Sequence, residues 1–295
     1  MLYDVTAELH YSYAAPAIAG RTLLRLMPAT LPGEQRLIAG RLEVEPAPAE
    51  RRDRGDFFGN PVSELVFRTA SDSASFRVHA RVERLAEPRR LDLSPPLARL
   101  ARELDAVASL GPSAPHHFLA PSPRVPAAPD LAGWAAARID AGATVLAALQ
   151  AIGTALHAEM RFDAAATTVE TDPREAFAAR NGVCQDFSHI LIACLRGLGV
   201  PAGYVSGYLR TRPPPGAARL TGADAMHAWV RVWCGIEGGW VDYDPTNDCM
   251  VGADHLRVAL GRDYDDVAPL RGVLRTAGAQ DSRHHVDVLP LEDSG

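Results

Sequence analysis

An α+β fold is predicted for this 295-residue chain. Alternating apolar and polar runs fill roughly its first 88 positions, a proline-rich stretch follows, and beyond it a long amphipathic helical stripe leads into strand-like segments. With 47% hydrophobic residues and 22% charged, the chain can bury a sizeable core and is not compositionally disordered. These shifts divide it into an amino-terminal β domain (1–88), a proline-rich connection (89–130) and a helix-and-strand domain with a carboxy-terminal extension (131–295).

The β domain is expected to be sandwich-like. Residues 3–11, 22–27, 41–45, 63–69 and 76–83 read as short strands. Phe58-Gly59-Asn60-Pro61 has turn chemistry. The basic run Arg51-Arg52-Asp53-Arg54 is expected to be a solvated loop. In the connection, helical patches are expected near 97–104, and the adjacent His116 and His117 point two ways, which makes them a poor ligand pair. From Thr144, the spacing of Leu146, Leu149, Ile152, Leu156 and Met160 predicts a helix. Asp172 followed by Pro173 predicts a capped helix over 173–179, ending near Asn181-Gly182.

The strongest helix is predicted over 183–198. Phe187, Ile190, Leu191, Cys194, Leu195 and Leu198 form one apolar stripe, with Gly199 as a left-handed stop and Pro201 blocking continuation. Cys184 lies three residues before Phe187, on the core side of the first turn. The free amides and partial positive charge of a helix start favour thiolate over thiol and suit an oxyanion. Cys194, amid Leu and Ile, reads as a small buried hydrophobe.

Strands are predicted at 203–210, 226–234 and 240–244. A four-residue loop at 235–238 pairs Cys234 with Gly239. His227 then lies opposite Thr246, with Asp244 as its diagonal same-face neighbour, while Asp242 lies opposite Arg231, one pair further off. A nucleophilic thiol needs a base, and the base needs an orienter. Cys184, His227 and Asp244 supply one candidate for each role.

These residues sit in motifs that closely resemble the bacterial transglutaminase-like family: Gly182-Val183-Cys184-Gln185-Asp186-Phe187, Tyr204-Val205-Ser206-Gly207-Tyr208, His227-Ala228-Trp229 and Asp242-Tyr243-Asp244-Pro245-Thr246-Asn247. The strands preceding Pro28 resemble that family's amino-terminal β domain, and Gly261-Arg262-Asp263-Tyr264 and Pro269-Leu270-Arg271-Gly272 resemble its tail. The resemblance implies a papain-like transglutaminase core, in which a helix carrying the Cys packs on an antiparallel sheet, preceded by an all-β sandwich-like domain. Carried over by motif, Cys184 is the nucleophile, His227 the base and Asp244 the orienter. The chemistry implied is acyl transfer on peptide or side-chain amide bonds through a thioester, by a cysteine peptidase, amidase or protein-glutamine acyltransferase. Gln185, Trp229 and Asp242 are further candidates for the oxyanion site or substrate groove, and core packing is an equal reading for Trp229, Trp233 and Trp240.

A net charge of −6 argues against a nucleic-acid partner. No stretch reaches the roughly 18 apolar residues of a membrane span, and no secretory leader is recognisable at Met1-Leu2-Tyr3-Asp4. The four cysteines, Cys184, Cys194, Cys234 and Cys249, lack CxxC spacing and read as reduced thiols of a cytoplasmic protein. No cofactor and no metal are expected, because Cys184, His227, Cys234, Asp242 and Asp244 do not match zinc spacings and Asp242, Asp244 and Asp248 do not form a calcium loop. The expected partners are a protein or peptide substrate and, for transfer, a primary amine. The alternative is a catalytically silent scaffold of the same fold that binds peptides.

Overall fold

The structure is a computed structural model describing residues 1–85, 91–211, 224–275 and 279–291. Among the described residues the strands form a seven-stranded sheet, a five-stranded sheet and a small parallel pair. The α+β expectation holds, with an all-β first region followed by helices on an antiparallel sheet.

The β domain is organised by β1 (Leu2–Leu24), longer than the two runs expected from sequence. Its first half pairs with β5 (Ser71–Arg84), and its second half with β4 (Pro61–Val66), whose far side carries β3 (Glu50–Gly55). The ladder shifts between Ser12 and Ala17, a stretch containing Pro16, which has no amide hydrogen to donate. Nothing there reverses the chain, so one irregular strand serves two sheet halves. β2 (Gln35–Glu45) pairs with β5. The basic run expected as a loop is instead β3, fully exposed yet paired along its length. Its charges decorate an edge strand and oppose strand addition by another chain.

The connection holds a 3-10 turn (Leu97–Arg99), α1 (Leu100–Ala106) and a second turn (Pro115–Phe118). His117 contacts the carbonyls of Leu110 and Gly111 through Nε2. After α2 (Pro129–Ala136) comes α3 (Val145–Glu159), capped by the Thr144 hydroxyl accepting from the Ala147 amide at 3.2 Å. β6 (Arg161–Phe162) pairs in parallel with β7 (Asn181–Gly182). Between them, α4 (Pro173–Ala179) starts at Asp172, whose carboxylate accepts from the Arg174 amide at 2.8 Å, and stops at Arg180 with φ 54°.

α5 (Cys184–Gly197) buries Phe187, Ile190, Leu191, Cys194 and Leu195 completely or nearly so. Gly199, at φ 78°, reverses the chain after it. α5 packs on β8 (Ala202–Leu209) and β9 (Ala225–Trp233), and α2, α3 and α4 surround its other sides. The single-turn α6 (Gly235–Gly238) joins β9 to β10 (Trp240–Asp244). Trp240 pairs with Trp233 and Asp242 with Arg231, which is the register the loop length requires. β11 (Cys249–Met250) lies on β10, and β12 (His255–Gly261) pairs with the far side of β8. After the single-turn α7 (Tyr264–Val267), β13 (Leu270–Arg275) and β14 (Gln280–Leu291) return to β1. The last strands therefore complete the first sheet.

β12 is the edge of the five-stranded sheet, and the β domain covers that edge with side-chain amides. Gln35 donates to the Arg257 carbonyl at 2.8 Å and accepts from the Arg257 amide at 2.9 Å. Asn60 does the same to Leu260, at 2.8 and 2.7 Å. Two carboxamides thus replace a missing neighbouring strand, satisfying backbone groups that burial would otherwise leave unpaired.

Gly207 sits opposite His227 in the β8–β9 ladder. A Cβ there would lie 2.4 Å from the Trp229 ring and 2.3 Å from the Leu256 carbonyl oxygen. We expect Gly207→Ala to cost about 1–3 kcal/mol in denaturant unfolding; an unchanged midpoint would show that both the ring and the β12 backbone give way freely.

Candidate active site

Cys184 is the first residue of α5, with Val183 as its cap residue in extended conformation. Asp186, in the first turn, accepts the Val183 amide at 2.7 Å and the Thr167 hydroxyl at 2.6 Å. Burial pushes its carboxyl up from the usual range, against these two hydrogen bonds. Gly182 makes this possible, because a Cβ there would lie 2.7 Å from the Asp186 carboxylate. The loop before the helix is thereby drawn onto its first turn, fixing the position of Cys184.

His227 extends from β9 and Asp244 ends β10. His227 Nε2 lies 2.7 Å from Asp244 Oδ2 and 3.5 Å from the Asn247 side-chain nitrogen, and the Cys184 thiol is near enough to raise the imidazole's pKa. With Nε2 committed to the carboxylate, Nδ1 is left for the sulfur. The structure thus brings together the three residues singled out from sequence. His227 is only 9% exposed. Burial opposes its charge, but Asp244 and Cys184 outweigh it and lift the imidazole from its ordinary value to about 10.

Asp244 is completely buried and receives five donors. Oδ2 takes His227 Nε2, His255 Nε2 at 3.1 Å and the Asn247 side-chain amide at 2.7 Å. Oδ1 takes the backbone amides of Thr246 and Asn247, at 2.9 and 3.2 Å. Burial disfavours this carboxylate's charge; the imidazoles and the Asn247 amide overcome that and hold it well below the usual carboxylate range. Pro245 helps, since β10 stops there and the chain turns its next two amides back onto Oδ1.

The other candidates lie elsewhere. Trp229 is 1% exposed, and its indole nitrogen donates to Asp242 Oδ2 at 3.1 Å. It is a core residue packed with Phe118, Val205, Val251 and Leu260, not a groove wall. Asp242 also pairs with Arg231 at 3.2 Å and borders a separate cavity of about 520 Å³ with Trp240, Glu34 and Met250, whose lining does not include Cys184. The Gln185 side chain is buried and donates to the Val169 carbonyl at 3.4 Å, tying α5 to the preceding loop. Two other thiols are held protonated: burial lifts Cys194 to about 12, and burial with Asp244 and Asp248 lifts Cys249, cross-strand from Asp244, to about 11.

His255 and Asn247 were not singled out from sequence. Asn247 stood within the Asp244 motif. His255 stood in the alternating run His255-Leu256-Arg257-Val258, which places it and Arg257 on one face of a strand. The missing information was that this strand joins the sheet beside β8.

Ligand atoms of His227, Asp244 and His255 lie within 4.8 Å of one another, close enough to suggest a cation site. The hydrogen bonding does not fit one. A metal needs a lone pair on each Nε2. His255 Nδ1 accepts from the Gly252 amide at 3.5 Å, which places that ring's proton on Nε2, facing the carboxylate.

Residues 134–245 match the transglutaminase-like superfamily core, and residues 3–83 match the bacterial transglutaminase-like N-terminal region. The chain belongs to the transglutaminase-like superfamily. It is 34% identical to the uncharacterized protein Rv2569c of Mycobacterium tuberculosis, over 98% of this chain and 93% of that one. It is 30% identical to the uncharacterized protein ML0607 of Mycobacterium leprae, over 95% and 96%. Among solved structures, a "putative cysteine protease" from Cytophaga hutchinsonii superposes with a TM-score of 0.73 at 21% identity, covering 100% of this chain and 92% of that one. That likeness establishes a shared fold across both regions.

The raised imidazole and the depressed carboxylate give opposite pH dependences. The His227 contribution to stability is complete below the ordinary imidazole value of about 6.5 and is lost as pH rises toward about 10. The Asp244 contribution is complete above the ordinary carboxylate range and is lost on acidification through its lowered value. The melting temperature of the wild type is therefore expected to fall more between pH 7 and 10 than that of His227→Gln; equal slopes would show that His227 is not held as a cation.

Proposed function

We propose that this chain is a thiol acyl-transfer enzyme acting on peptide or side-chain amide bonds, with Cys184 as nucleophile, His227 as general base and acid, and Asp244 as orienter. The observation that carries this reading is that one buried imidazole pairs with Asp244 through Nε2 and feels the Cys184 thiol, which stands at the start of α5.

The thiolate attacks the carbonyl carbon while His227 holds the thiol proton. First-turn amides of a helix lack intrahelical acceptors, so the Cys184 amide is placed as an oxyanion donor. As the tetrahedral intermediate collapses, the C–N bond breaks and His227 gives its proton to the leaving amine, leaving a thioester on Cys184. A water or primary amine then loses a proton to His227, attacks the thioester carbonyl and releases the thiolate. Peptidase, amidase and protein-glutamine acyltransferase reactions share every step up to the thioester and differ in the second nucleophile. The scheme needs no cofactor, and Cys184, Cys194 and Cys249, none of them in a disulfide, suit a reducing, cytoplasmic setting. The same fold without turnover, as a peptide-binding scaffold, is the competing function.

Incubation with a peptide library and a labelled primary amine, followed by mass spectrometry, tests the proposal. Cleavage, deamidation or amine incorporation is expected with wild type and not with Cys184→Ser, whose melting temperature should stay within a few degrees. Asp244→Asn should reduce turnover by at least about a hundredfold and more than Asp242→Asn does. Binding without product in every assay would favour the scaffold.

A further inference from the structure

We infer that His255 is a positioning residue for the triad: a second imidazole that donates to the same Asp244 oxygen as His227 and holds the carboxylate in the one orientation from which it can pair with the base. This inference rests on the Cys184–His227–Asp244 reading and adds a fourth member from a separate strand.

Three observations converge. His255 Nε2 lies 3.1 Å from Asp244 Oδ2, the same oxygen that His227 contacts at 2.7 Å. The Gly252 amide reaches His255 Nδ1 at 3.5 Å, so the ring presents N–H to the carboxylate and acts as a donor, not a competing base. The ring itself is locked: it is buried, and it stands edge-on to Trp229, with centroids 5.3 Å apart and planes at 81°. Trp229 in turn lies over Gly207, the position where any side chain would strike it.

The backbone beneath is held from outside the catalytic sheet. Gln35 and Asn60 clamp β12 at Arg257 and Leu260, so the amino-terminal β domain sets the position of the strand that carries His255. This gives that domain a mechanical part in arranging the site.

The groups facing this cluster are His227 on β9, Asp244 on β10, Cys249 on β11 opposite Asp244, and Cys184 on α5. Further along the same sheet face, Arg231 pairs with Glu34 and Asp242 beside Arg257. Removing the His255 donor leaves Oδ2 with His227 and Asn247 alone. The carboxylate can then turn, its hold on the imidazolium weakens, and the thiolate–imidazolium pair becomes less favoured.

The test is the rate of iodoacetamide alkylation at Cys184, read by peptide mass spectrometry at pH 6 and pH 10, in full-length wild type, His255→Leu, His255→Gln and His227→Ala. At pH 10 a cysteine ionises without help; at pH 6 it depends on its partner. We expect His255→Leu to lose about tenfold in rate at pH 6, with little change at pH 10. His255→Gln, which retains an N–H donor, should keep most of the pH 6 rate and preserve the test if the leucine variant folds poorly. A wild-type pH 6 rate in His255→Leu, with loss in His227→Ala, overturns the role of His255 while sparing the triad. Wild-type rates in His227→Ala as well would overturn both.

Discussion

Everything at this site depends on keeping one carboxylate, that of Asp244, charged in a place closed to solvent. A bare buried carboxylate would take up a proton rather than bear the loss of hydration. Here five donors from three segments replace the water: two imidazoles, one carboxamide and two backbone amides. The charge that survives favours an imidazolium at His227, beside the Cys184 thiol. Each link is an electrostatic consequence of the one before, acting where the local dielectric is low.

The architecture around the carboxylate follows from that requirement. The donors must come from several directions, so the site cannot be assembled within one hairpin. β9 and β10 bring His227 and Asp244, the turn after Pro245 brings the amides, and β12 brings His255 from the far edge of the sheet. An edge strand is the least constrained part of a sheet. The carboxamides of Gln35 and Asn60 remove that freedom by binding β12 as a neighbouring strand would. The β domain is itself closed by β14, which returns along the first half of β1. The two ends of the chain therefore meet in the body that steadies the site.

Much of this was legible in the residues. The stripe from Phe187 to Leu195 located α5, the Asp172-Pro173 cap located α4, and the length of the loop at 235–238 set the β9–β10 register and with it the preference for Asp244 over Asp242. These features are local, governed by periodicity, capping and turn length. What escaped was non-local. The partnership of His255 with Asp244 depends on which strand lies beside β8, and hairpin geometry says nothing about that. The return of β13 and β14 to β1, and the continuity of β1 past Pro16, likewise depend on sheet assembly across the whole chain. Trp229, read equally as core or groove, was undecidable for another reason. A strand pattern shows which residues share a face but not whether that face is open, and here Gly207 leaves a space that the indole fills.

The central physical claim is that His227 persists as an imidazolium between a carboxylate and a sulfur. It is tested most directly by nuclear magnetic resonance titration of the His227 ring nitrogens in uniformly labelled protein. Both nitrogens should remain protonated through neutral pH, with the ring deprotonating near pH 10. A His227 that titrates near the ordinary imidazole value of about 6.5 would contradict the account.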